Sequence, residues 1–135
     1  MLQPERKKMW TTSKKERAKK ILQEAQNILG INHFSVRVIF SEEKKENSLT
    51  GTETLAETTT NDAYFDVLVT LYQGFAELPL KEQVKCAIHE LIHAILAPID
   101  RYAQKAVCPA NEEFYTRDME NVVVLLTKAV INGRG

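Results

Sequence analysis

Apolar residues change their period twice along this chain, and that order of periods restricts the fold more than any other feature. Ala18, Ile21, Leu22, Ala25, Ile28 and Leu29 recur at three-and-four spacing, which stacks side chains on one helical face. Ser13 and Glu16 stand at capping-box spacing before this run and Gly30 follows it, so the first helix is predicted over 13–29. Phe34, Val36, Val38 and Phe40 then alternate with Ser35, Arg37 and Ile39, the period of a strand with one buried face. Residues 63–72 carry β-branched and aromatic side chains at both parities and read as a strand covered on both sides, the central or best-protected one. Beyond Gly74 and Pro79 the helical period returns over about 81–97, ended by Pro98, and again over about 111–131. Residues 1–10 read as a tail, 41–51 as a polar loop, and the threonine-rich 52–60 as a second, more exposed strand. Helix, two or three strands, then two helices, with no βαβ alternation, predicts an α+β fold in which helices cover a small mixed sheet.

One domain is expected of 135 residues. Apolar residues at 44% and charged residues at 27% describe a chain able to build a core rather than one that stays disordered. Eighteen basic and eighteen acidic residues cancel, so no global field favours nucleic acid or an anionic membrane as partner. Eight basic residues against two acidic ones over 1–20 read first as a solvated helix face, and second as a local patch for a partner. No run reaches the roughly 18 apolar residues of a membrane span, and the polar sequence after Met1 lacks the apolar core of an export signal. Cys86 and Cys108 are read as free thiols in a reducing, cytoplasmic setting.

The chemistry concentrates in Cys86-Ala-Ile-His89-Glu90-Leu-Ile-His93. Two of the chain's three histidines fall four positions apart on a predicted helix; four residues turn a helix by about 400 degrees, so both imidazoles project from one face toward a single ion. Zinc accepts that donor type. Glu90 is rotated about 100 degrees from His89, which suits it to a water rather than to the metal. On the helical wheel the histidine pair lies roughly 140 degrees from the centre of Val84, Ile88, Leu91, Ile92 and Ile95, so it should face a cleft instead of the main core. His33 has no such partner and reads as a surface residue.

A catalytic zinc ordinarily has three protein donors, and no histidine follows His93. The longer pattern with a third histidine is absent, since Leu96 and Ile99 stand where it has glycine and histidine. A carboxylate from the last helix is the natural substitute, among Glu112, Glu113, Asp118 and Glu120; periodicity places Glu112 and Asp118 nearest an apolar stripe of Tyr115, Met119, Val122 and Leu126. Cys86, one turn before His89, reads as a small buried residue with a thiolate ligand as the alternative. Cys108 reads as loop filler. Asp100 reads as a helix-flanking solvated acid, with support of a ligand histidine as the alternative.

His89-Glu90-Leu91-Ile92-His93, Ala97-Pro98-Ile99-Asp100-Arg101-Tyr102 and Glu120-Asn121-Val122-Val123-Val124-Leu125-Leu126 together resemble the small zincin-like metallopeptidases frequent in phages and prophages. The similarity spans about residues 61–131, with Tyr64 to Tyr72 in the place of the strand that precedes the active-site helix. The resemblance implies a zincin-like minimal domain, an edge strand along which a peptide lies, and a protein acting in the cytoplasm of a bacterial host. It also implies Glu120 as third zinc ligand, because a Glu just ahead of a Val-Val pair recurs there, with Glu112 or Glu113 next in order. That family often has two adjacent acids at this point, whereas here the first is Met119.

The resulting expectation is a Zn2+-dependent peptidase, with His89, His93 and Glu120 on the metal and Glu90 as general base acting on a peptide or protein substrate. Tyr72, Tyr102 and Tyr115 are candidates by type for a carbonyl-polarising donor. Two other classes compete: a metal-binding regulatory or host-interaction module with vestigial catalysis, and a structural domain without metal. Oligomeric state is not readable from the sequence.

Overall fold

A computed structural model describes residues 9–47, 51–61 and 65–133. Within them the chain runs α1 (Thr12–Leu29), β1 (Ser35–Phe40), β2 (Lys45–Glu46), β3 (Glu53–Thr54), β4 (Ala56–Thr60), β5 (Asp66–Leu71), α2 (Gln73–Glu77), α3 (Leu80–Ala106), a 3-10 turn (Pro109–Asn111) and α4 (Glu112–Gly133). The fold is mixed α+β. No described helix is long and apolar enough to cross a membrane.

Helix α1 begins one residue earlier than the sequence suggests, and its cap lies two residues earlier. Thr11, not Ser13, is the N-cap and accepts from the Lys14 N–H at 3.3 Å. What fixes this start is Trp10, which is buried, lies tilted against Phe40 at 4.8 Å and stacked with Phe75 at 6.2 Å, and donates its indole N–H to the Ser41 carbonyl at 2.9 Å. The Met9 and Trp10 amides both reach the Glu42 carboxylate. The tail read over 1–10 therefore ends before Met9, and residues 1–8 lie outside the described residues. Gly30 closes α1 as expected, at φ 71, which is the left-handed region that a side chain resists.

The three-stranded sheet has the order β1-β5-β4, with β1 parallel and β4 antiparallel to β5. β5 is thus central, as its composition predicts; residues 63 and 64, with which the sequence begins that strand, lie outside the described residues. Its two faces are not equally covered, contrary to the sequence reading. Val67, Val69 and Leu71 are buried, whereas Asp66, Leu68 and Thr70 are half-exposed. The cause is layering: Ile21, Leu22 and Ala25 of α1 and Ile88, Leu91 and Ile92 of α3 join one core with the Val67 face. The opposite face carries the Arg37–Asp66 ion pair at 3.3 Å. In register, Thr58 of β4 stands beside Val69 and so shares the helix-covered face.

Within the segment read as a polar loop, β2 pairs antiparallel with β3, and the segment read as one strand over 52–60 is divided into β3 and β4. Between β5 and α3, the break at Gly74 holds α2, whose Phe75 is fully buried. Helix α3 does not stop at Pro98 but runs on to Ala106. A proline removes one N–H from the ladder, and here the segment beyond it is held by packing against α4, where the Tyr115 hydroxyl donates to Asp100. Helix α4 starts within a residue of expectation, but its buried seam is Val123 and Thr127. Val122 and Leu126, assigned to the stripe by periodicity, are 44% and 41% exposed.

Candidate metal centre

Helical spacing brings His89 and His93 together as predicted, with ring centroids 5.1 Å apart. Both rings are partly buried and face α4 rather than the main core. There Glu120 meets them: one carboxylate oxygen lies 2.7 Å from His89 Nε2 and the other 3.1 Å from His93 Nε2. The pairs His93–Glu120 and Asp100–Tyr115 make α3 and α4 antiparallel neighbours. Glu120 precedes Val123 by three positions and Thr127 by seven, so the seam that buries those two residues also turns Glu120 toward α3.

Among the described residues, His89, His93 and Glu120 are the group of three potential donors whose ligating atoms all lie within 4.8 Å of one another. Glu112 and Glu113, the next choices for third ligand, are exposed on the cleft wall outside this group, and Asp118 is exposed as well. Periodicity ranks Glu112 and Asp118 first because the apolar run Val122 to Leu126 covers most of the helix circumference. The face that actually packs includes a threonine.

The donor set fits a small divalent cation. Tetrahedral bonds of roughly 2.0–2.1 Å imply donors about 3.3 Å apart, so on binding an ion the Glu120 oxygens would back away from their imidazoles by up to about half an ångström, and any wider pair within the 4.8 Å group would draw together. Two imidazoles and a carboxylate are also a donor combination that zinc accepts in catalytic sites. The electrostatics agree. The hydrogen bonds to His89 and His93 hold the Glu120 carboxyl well below the usual carboxylate range. The Glu120 partner raises His93, against the opposing effect of burial.

Glu90 stands apart from the three donors. Its side chain is buried, and the Thr58 hydroxyl lies 2.9 Å from its carboxylate and 3.1 Å from its backbone carbonyl. Burial pushes the Glu90 carboxyl upward, while the Thr58 bond and the two histidines pull the other way. Thr58 is the functional residue that sequence reasoning missed. Its signal was the threonine run of β4, whose thin apolar content hid an inward-facing hydroxyl.

The remaining candidates separate clearly. Burial pushes the Cys86 thiol up to about 12 in the metal-free protein, and Cys86 is not among the three donors that lie within 4.8 Å of one another. Cys108 is exposed, and its sulfur accepts from the Asn111 amide at 3.3 Å. Asp100 is neither a solvated flanking acid nor bonded to a ligand histidine, being engaged by Tyr115, although its charge does raise His93. Tyr115 itself is pushed up to about 12 by desolvation and by Asp100. Tyr72 donates to Glu57 at 2.9 Å and Tyr102 projects into solvent. None of the three tyrosines is among the described residues lining the cleft over the histidines. That cleft, of about 1430 Å³, has β4 as one wall, His89, Glu90 and His93 along its base, and Glu113 and Arg117 of α4 opposite.

Comparison with known families, with curated proteins and with solved structures finds no match to this chain.

Proposed function

We propose that the protein is a zincin-like, zinc-dependent peptidase, with His89, His93 and Glu120 as the metal ligands and Glu90 as the general base. The observation that carries this reading is the single Glu120 carboxylate meeting both Nε2 atoms of the helical histidine pair. Bound zinc supplies Lewis acidity, polarising a carbonyl and bringing the pKa of a water toward about 7. Glu90 would accept a proton from the attacking water as the water oxygen bonds to the carbonyl carbon, and would pass that proton to the amine nitrogen as the C–N bond breaks, which returns Glu90 to its carboxylate form. Burial supports this role, since a carboxyl raised above its ordinary value releases a captured proton less readily to bulk water and holds it for the amine.

The β4 wall suits a peptide substrate. β4 is the edge strand on the cleft side, paired to β5 by one edge, and an extended chain can add to such an edge through main-chain hydrogen bonds. Residence in the cytoplasm of a phage-infected or lysogenic bacterium follows from the sequence resemblance alone and belongs to the same proposal.

The test pairs metal content with turnover. Protein purified without added zinc is expected to hold near-stoichiometric metal and to cleave an unstructured protein such as casein, and Glu90→Gln is expected to keep the metal and lose cleavage. Metal-loaded protein that cleaves nothing favours the interaction module. For that second reading the specific observation is the exposed basic row of Lys14, Lys15, Arg17, Lys19 and Lys20 on α1.

A further inference from the structure

Glu90 poses a problem that the metal ligands do not solve. It lies beside a site that already collects one carboxylate, and a second carboxylate next to a divalent cation tends to become a ligand, closing the position that a reacting water needs. Helix geometry turns Glu90 about 100 degrees away from His89, but rotation alone leaves the carboxyl free to swing about its own side-chain bonds, and a hydrogen bond can fix where it points.

We propose that Thr58, on edge strand β4, is the positioning residue that keeps the Glu90 carboxyl off the metal and aims it at the cleft. This inference rests on the peptidase reading and deepens it. The geometry is specific. The Thr58 hydroxyl lies within reach of the Glu90 carboxylate at 2.9 Å and of the Glu90 backbone carbonyl at 3.1 Å, and its single proton is donated to the nearer carboxylate or shared between the two, so the hydroxyl sits against the residue whose side chain it steers. Its own backbone is fixed by pairing with Val69, one of the least exposed residues in the protein. Among the described residues, the Thr58 hydroxyl is the group that hydrogen-bonds the Glu90 carboxyl. The hydroxyl has one proton, and only the carboxylate bond uses the side chain of Glu90, so loss of the hydroxyl frees that side chain without disturbing the helix ladder. The link also ties the strand on which a peptide would lie to the base that would act on it. A substrate seated along β4 is thereby placed in register with Glu90.

The test uses the cobalt-substituted full chain, whose visible spectrum reports the number of metal donors, alongside cleavage of fluorescein-labelled casein. Thr58→Val keeps the shape and strand preference but removes the hydroxyl, and Thr58→Ser keeps the hydroxyl. The expected spectrum of Thr58→Val is that of a site with an added protein donor. Thr58→Ser should match wild type, and the double variant Thr58→Val/Glu90→Gln should return to the wild-type pattern. In cleavage, kcat should fall about 10- to 100-fold in Thr58→Val with KM unchanged, and Thr58→Ser should restore it. A Thr58→Val spectrum superimposable on wild type overturns the proposal whatever its turnover. So does a change that persists when Glu90 is also replaced. Wild-type protein that binds cobalt but cleaves nothing overturns the peptidase reading, while the spectra still decide the role of Thr58. Wild-type protein that takes up no cobalt overturns both.

Discussion

The carboxylate of Glu120 lies 2.7 Å from the Nε2 of His89, an interaction between α3 and α4 that no short sequence motif encodes. It makes the identity of the third donor directly testable. Glu120→Ala is expected to weaken zinc binding by more than the roughly 10- to 100-fold that loss of an outer partner costs. Glu112→Ala and Glu113→Ala should leave it unchanged, because both side chains stand outside the donor group. Competition with a chromophoric chelator measures all three; an equal loss in Glu113→Ala would move the ligand to the start of α4.

Acid–base behaviour of the metal-free protein follows from the same contact. Glu120 is held below its ordinary 4.5 by its histidine bonds, so its contribution to stability is present above that value and is lost as pH falls through the lowered one. His93 is held above its ordinary 6.5, first by Glu120, so its contribution is complete below 6.5 and is lost as pH rises through the raised value. Between about 4.5 and 6.5 both contribute. The melting temperature of chelator-treated protein should decline from pH 6.5 toward 8 by more than that of Glu120→Gln. Zinc affinity should move the opposite way, rising over that interval, because the histidines must be neutral to ligate. Identical pH profiles for wild type and Glu120→Gln in chelator would contradict the assignment.

Trp10 supplies a stability test remote from the site. Its ring is 2% exposed between Phe40 and Phe75, and truncation of a buried aromatic side chain ordinarily costs about 3–5 kcal/mol. Trp10→Ala should lower the urea midpoint accordingly, and Trp10→Phe should recover part of the loss. A midpoint within experimental error of wild type would restore the reading of residues 9 and 10 as tail.

The helix beyond Pro98 carries a polar tie to α4 that can be removed cleanly. Tyr115→Phe deletes the hydroxyl that engages Asp100, worth about 1 kcal/mol for a typical side-chain hydrogen bond. Amide exchange over residues 99–106 should accelerate several-fold while that of Ile88 to Ile92 stays slow. Uniform exchange across α3 in the variant would show that the tie is not what extends the helix.

Where the sequence was legible, a local period carried the information. His89 and His93 share a face because of helix geometry alone, and β5 is central because its residues are apolar or β-branched at both parities. Glu120 was not recoverable from periodicity, since Val122 to Leu126 is apolar all round and leaves the seam of α4 undefined; only resemblance singled it out. Trp10 was misread because a lone aromatic has no periodic neighbours, and its burial depends on Phe40 and Phe75, both distant in the chain. Pro98 was misread as a stop because the contact that offsets its missing N–H comes from another helix. Thr58 was invisible for the same reason, its partner lying on α3. In each case the missing term is a tertiary contact.

The central claim is that two imidazoles and one carboxylate, from α3 and α4, grip a zinc ion. Anomalous diffraction at the zinc edge, from crystals of protein never exposed to chelator, tests it most directly. The account predicts one strong peak about 2.0–2.1 Å from His89 Nε2, His93 Nε2 and a Glu120 oxygen, with Glu90 still bonded to Thr58. Crystals with no peak there, and with Glu120 still directly bonded to both histidines at neutral pH, would contradict it.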